Sequence, residues 1–260
     1  MSASEIPHLW RVDGPITLDE VDAVIEAIMT TSDATSPIQV LLIMFDRMDT
    51  LDFTSPLETL SIACSPLNDA RTKSFDITAV AAKDMTTTDE GIAIQRHVSI
   101  AEATKRLSQF DILIVPGGKM DVMMSLAADG NPEFDLLKAF AALPAREEDI
   151  ERTIVSICTG ALILAAAGIL NGKQATTSHL ALDLLRDACV PAGTTTVVQS
   201  RFVDAGLSEN GTRIITSGGL SSGFDAVLHL VELRSGIETA RGVEKILEHA
   251  WRRDEGTVVA

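Results

Sequence analysis

The 260-residue sequence predicts an α/β fold, a flavodoxin-like parallel sheet sandwiched by helices. Three observations carry that expectation. Apolar runs such as IQVLLIMF (residues 38–45) and DILIV (residues 111–115) show no polar alternation, as strands buried on both faces do. Segments of helical period alternate with these runs, and the connections between them are short. Hydrophobic residues make up 46% of the chain, enough to cover both faces of a sheet.

In chain order, residues 1–36 read as a helical N-terminal extension and linker. Thr17 and Glu20 have capping-box spacing, Leu18, Val21, Val24, Ile25 and Ile28 share one helical face, and TTSDATSP closes the segment. Residues 37–260 read as the α/β domain. Its strands are expected at 38–45, 75–82, 111–118 (ending in a Gly-Gly turn) and 153–158, with a short one at 175–178. Helices are expected from near Pro56 to Cys64, at 132–143, 159–170 and 180–188, with Gly172 as the glycine closing the third. Residues 194–203 and 212–216 suit a hairpin pair, and two closing helices start at Ser222 and Glu238.

Composition excludes several classes. Thirty-seven acidic against 21 basic residues give a net charge of −16, which repels nucleic-acid phosphates. Tyrosine is absent, so no phenol serves as general acid. The longest apolar run, residues 161–170, is far shorter than the roughly 18 residues of a membrane span, and the first residues lack the layout of a signal peptide. A cytoplasmic protein acting on a small molecule is the expectation. The three cysteines, Cys64, Cys158 and Cys189, form no CxxC pair and suit a reducing compartment. His229 and Glu232 lie one turn apart, but such a lone pair is an insufficient ligand set; neither a metal nor a cofactor is expected.

The informative segment is TIVSICTGALILAAAGILNGKQATTSH, residues 153–179. An apolar strand delivers Cys158, and Thr159-Gly160 turn at once into a helix. That is the geometry of a nucleophile elbow, with the helix N-terminus expected to favour the thiolate and lower the thiol pKa. The residues alone leave an alternative open, a small buried hydrophobe. Asp52 likewise reads either as a site carboxylate or as a cap for the helix near Pro56, and Gly117-Gly118 as a site backbone or a plain turn. His179 reads as a pocket residue or a surface histidine at a helix start. SGGLSSG (residues 217–223) lacks the phosphate-loop pattern, and Ser222 with Asp225 suits a capping arrangement. Cys64, on a helix, and Cys189, in a Pro-Gly loop, have no elbow.

The segments VSICTGALILAAAGILNGKQATT, DILIVPGG and FDRMDTLDFTSPLETL together resemble the DJ-1/PfpI superfamily, which includes glutamine amidotransferase-like domains. RFVDAG and TSGGLSSGFDAVLHLVEL match its isocyanide hydratase branch. The resemblance runs from about Ile38 to Trp251. It implies Cys158 as nucleophile, Asp52 as the carboxylate beside the sulfur, and Thr159 as a contributor of hydroxyl and N–H. It also implies backbone at Gly117 and Gly118 facing the sulfur, Ser178 and His179 as candidate pocket wall, and a homodimer. Thr159 stands where peptidase-like members carry histidine. Ser178-His179 is shifted by one place from the His-Trp pair frequent in bacterial isocyanide hydratases. The activity implied is hydration of an isocyanide to an N-substituted formamide. Alternatives within the family are a glyoxalase or amide hydrolase. A ligand- or redox-sensing domain is a further alternative, weakened because only nine residues follow Trp251, too few for a DNA-binding module.

Overall fold

The computed structural model describes residues 37–63, 74–144 and 151–259. The helix expected between residues 17 and 28, and Cys64, lie outside the described residues.

The strand β1 (Ile38–Ile43) opens the sheet and is buried from Val40 onward. Successive side chains of a strand face opposite ways, so unbroken burial means that both faces are covered. α1 (Thr50–Ala63) follows, starting six residues before Pro56, which sits inside the helix. Proline has no N–H, so the Asp52 carbonyl forgoes its helical hydrogen bond.

β2 (Phe75–Ala81) pairs in parallel with β1. A hairpin absent from the sequence expectation, β3 (Met85–Thr87) with β4 (Ala93–Gln95), then leaves the sheet. The chain returns at β5 (Val98–Ser99), beside β2. α2 (Ile100–Lys105) begins at a capping box of Ser99 and Glu102. β6 (Ile112–Val115) is wholly buried. α3 (Met120–Leu126) and α4 (Pro132–Ala141), the latter capped by Asn131, lead to β7 (Arg152–Ser156).

α5 (Gly160–Ala166) is shorter than expected, and Gly168, at φ 73°, lies just past its end where Gly172 was expected to do so. β8 (Gln174–Ala175) pairs with β9 (Thr196–Val197) as a separate ribbon, on either side of α6 (Leu182–Cys189). The first strand of the hairpin therefore lies later than expected: β10 (Phe202–Leu207) pairs with β11 (Thr212–Ser217). α7 (Ser222–Ser235), α8 (Ile237–Ile246) and β12 (Thr257–Val258) complete the described chain.

The main sheet runs β12-β10-β11-β7-β6-β1-β2-β5, and only the β10–β11 pairing is antiparallel. Its centre, β2-β1-β6-β7-β11, has the doubly wound order of flavodoxin-like folds. α1 packs with α7 and α8, while α5 packs with α3 and α6. In such a sheet, ligands bind beyond the carboxyl ends of the strands, where the winding reverses between β1 and β6.

Candidate active site

Four strand ends converge at that crevice. The segment after β1 supplies Asp52, the turn after β6 supplies Gly117 and Gly118, the end of β7 supplies Cys158, and the turn after β11 supplies Gly219 and Leu220.

Cys158 has φ 53°, a left-handed conformation that non-glycine residues adopt at a cost and that marks strained functional turns. The strain is held by neighbours: Cys158 N–H donates to Gly218 O (3.1 Å), and Thr177 Oγ1 donates to Cys158 O (2.7 Å). The following helix starts so close to β6 that a Cβ on Gly160 would lie 2.5 Å from the Val115 carbonyl oxygen. Only glycine fits there.

Asp52 projects from the first turn of α1 and is fully buried. It is inside the helix rather than capping one near Pro56. A Cβ on Gly117 would lie 2.6 Å from Asp52 Oδ2, 2.7 Å from Thr159 Oγ1 and 2.8 Å from Thr159 N. The Gly117 backbone therefore fills the space between carboxylate and elbow. Thr159 Oγ1 donates to Gly118 O (2.7 Å) and accepts from Gly118 N–H (2.9 Å). This corrects one expectation, because the Gly118 amide is engaged by Thr159 and is not a donor to the sulfur. The amides that face the sulfur are those of Thr159 and Leu220. Sequence reasoning missed Gly219 and Leu220, since a backbone amide leaves no side-chain signature. A Cβ on Gly219 would lie 3.7 Å from Cys158 Sγ and 3.2 Å from Ser178 Oγ, so the Gly219 turn borders the sulfur and Ser178 borders that turn.

The electrostatics correct a second expectation. Burial, and next the Asp52 charge, push the Cys158 thiol up to about 12, and the Thr159 and Leu220 amides offset this only in part. The helix terminus does not win. Burial, reinforced by Asp49 one helical turn away, pushes the Asp52 carboxyl up to about 7. The Cys158 thiol and the Gly117 N–H pull the other way, but neither Asp52 oxygen has a partner at full hydrogen-bond geometry among the described residues. Asp49 is itself raised by burial and by Glu90, whose own carboxylate is held down to about 2, first by the Thr50 hydroxyl. Cys158 and Asp52 thus share one proton across the range between the two values.

His179 is exposed, and no hydrogen bond joins it to Cys158 or Asp52. Cys189 closes α6, buried, rather than sitting in a loop. His229 Nε2 bonds Asp204 Oδ2 (3.0 Å), with Glu232 3.8 Å from its other nitrogen. Asp225 does not cap α7, whose N-terminus has no side-chain cap, but faces Arg201 and His249. No helix among the described residues is long and apolar enough to cross a membrane.

Comparison with known proteins agrees with this construction. A model of the DJ-1/PfpI family matches residues 38–233. An isonitrile hydratase of Pseudomonas putida is 28% identical over 213 residues, covering 82% of this chain and 79% of that protein. A ThiJ/PfpI family protein from Pseudomonas syringae superposes with a TM-score of 0.64 at 20% identity, over 93% of this chain and 82% of that one. DJ-1 of Schizosaccharomyces pombe superposes at 0.61 with 21% identity, over 82% of this chain and all of its own. With a family match across three quarters of its length and this fold around the elbow, the chain belongs to the DJ-1/PfpI family.

Proposed function

We propose that the chain is a cysteine-dependent hydratase that converts a small, uncharged isocyanide to an N-substituted formamide. The observation that carries the reading is the Cys158 sulfur at a strained elbow beside a buried carboxyl group that titrates near 7. The isonitrile hydratase relative supports the same class.

With the shared proton on Asp52, the Cys158 thiolate attacks the terminal carbon of R–N≡C, and Asp52 delivers its proton to that carbon. The product is the thioimidate Cys158–S–CH=N–R, and Asp52 is left as carboxylate. Water then adds to the thioimidate carbon: Asp52 takes a proton from it and passes the proton to nitrogen, giving Cys158–S–CH(OH)–NH–R. Collapse breaks the C–S bond, the hydroxyl proton returns to Asp52, and R–NH–CHO leaves. The pair ends as it began, and one water is consumed. The Thr159 and Leu220 amides stabilise negative charge on sulfur in the first and last steps. The side chains that act on the sulfur electrostatically, Asp52 and Asp49, are both acidic, which suits an uncharged substrate.

The test is mass spectrometry of the intact protein after brief exposure to an aryl isocyanide, with formamide release assayed in parallel. An adduct on Cys158, with turnover abolished in Cys158→Ala and kept in Cys64→Ala, is the expected result. Full activity of Cys158→Ala removes the nucleophile. Lactate from methylglyoxal without any formamide assigns the site to a glyoxalase instead. A homodimer is proposed on the family resemblance, and light scattering that gives the mass of one chain would refute it.

A further inference from the structure

The turn after β11 is a wall of the site, and its backbone is under strain. Leu220 has φ 43°, which a leucine holds only when its surroundings impose it. A Cβ on the neighbouring Gly219 would lie 3.7 Å from the Cys158 sulfur and Gly218 O accepts the Cys158 N–H at 3.1 Å, which sets the turn against the sulfur, where the Leu220 amide favours the thiolate. A chain of hydrogen bonds leads away from this turn. Gly218 N–H donates to Arg201 O (2.9 Å). The Arg201 side chain donates from Nε to Asp225 Oδ2 (2.7 Å), from Nη2 to the same oxygen, and from Nη2 to Ser221 Oγ (3.4 Å). The other Asp225 oxygen is held by His249 Nε2 (2.8 Å) and by the Arg252 N–H (3.0 Å). Trp251 Nε1 adds a bond to the Asp225 carbonyl (3.2 Å). The Asp225 carboxylate is fully buried, so both of its oxygens need these donors, and the donors are fixed in return.

We infer that Arg201, Asp225 and His249 form a brace that fixes the Gly218–Ser221 turn so that Leu220 presents its N–H to the Cys158 sulfur. The three are positioning residues: none is placed against the sulfur, and each acts through the turn. The brace rests on the proposed role of Cys158 only in that the sulfur is the reactive atom, and the thiolate reading that tests it needs no substrate.

Thiolate absorbance in the ultraviolet is measured across pH on the full chain, with Cys158→Ala as blank, alongside thermal melts and isocyanide turnover. In Arg201→Met and in the milder His249→Ala, which leaves the Arg201 and Arg252 contacts to Asp225, thiolate absorbance sets in at higher pH than in the parent, so that at a fixed alkaline pH on the rising limb it falls severalfold. Arg201→Lys, which keeps the charge without the forked donor, recovers part of it. Absorbance rather than alkylation is the readout because a loosened turn also changes access to the sulfur. A lower melting temperature with unchanged thiolate absorbance in folded His249→Ala overturns the inference and leaves the network as a fastening for the C-terminal segment. Normal thiolate behaviour in the parent without formamide production removes the proposed activity and leaves the brace standing.

Discussion

In the proposed reaction two atoms dominate, the Cys158 sulfur and the oxygen of Asp52 that carries its proton. Because the carboxyl titrates near 7 and the pair must have lost one proton to expose a thiolate, turnover is expected to rise with pH through about 7. A rate flat between mildly acidic and neutral pH contradicts the shared-proton pair. Asp52→Asn removes the charge that, after burial, raises the thiol; alkylation of Cys158 at neutral pH is expected to become faster while hydration is lost, because the amide donates no proton. The same substitution tests linkage. A carboxyl raised from 3.8 to about 7 favours the fold below its unfolded pKa, and this contribution is lost as pH rises through the folded value. Asp52→Asn therefore stabilises more at pH above 7 than in acid, by up to roughly 4 kcal/mol, read as a difference in melting temperature. Asp49→Asn, which removes the second contributor to the Asp52 shift, moves the pH–rate midpoint downward. The strand-turn-helix pattern singled out Cys158, whereas Asp52 and Thr159 were named through the family resemblance; the structure brings both Asp52 and Thr159 against the Gly117 backbone. The sign of the thiol shift was not legible in the sequence, because burial is a property of the folded packing and outweighs the helix terminus seen in the residues.

Among the elements, the turns are less tolerant than the strands. Gly160→Ala places a carbon 2.5 Å from the Val115 carbonyl oxygen, and a backbone atom cannot rotate away. A loss of about 1–3 kcal/mol, measured by denaturant unfolding, is expected from such overpacking; an unchanged midpoint would mean that α5 shifts freely. Strand positions were readable because β1 and β6 are largely apolar runs and β7 is rich in β-branched residues. Helix ends were read less well. Pro56 suggested a start, yet α1 begins at Thr50, where Glu90 accepts the Thr50 N–H at 3.1 Å. Glu90 is carried there by the β3–β4 hairpin, whose short and partly exposed strands lack a clear alternation. The tertiary contact that starts the helix had no local trace.

Across the molecule, the site joins residues from 52 to 220 because the parallel winding brings four carboxyl strand ends together. The parallel sheet covered on both faces was legible from the alternation of strands and helices, whereas the edge pairing of two-residue β12 with β10 was not. Such a short edge offers little backbone for pairing with another sheet. Trp251, nearly buried and bonded to the Asp225 carbonyl, anchors the C-terminal segment; Trp251→Ala is expected to cost about 3–5 kcal/mol, checked by chemical denaturation. A further consequence follows from where Leu220 lies along the chain. A growing polypeptide released through α5 already carries Cys158 and the adjacent Thr159 amide, but the Leu220 amide lies some 60 residues beyond Cys158. The thiol stays chemically ordinary until β11 and its turn close over it, so the upward shift that burial imposes on it is a late clock for maturation, readable on ribosome-bound chains of graded length.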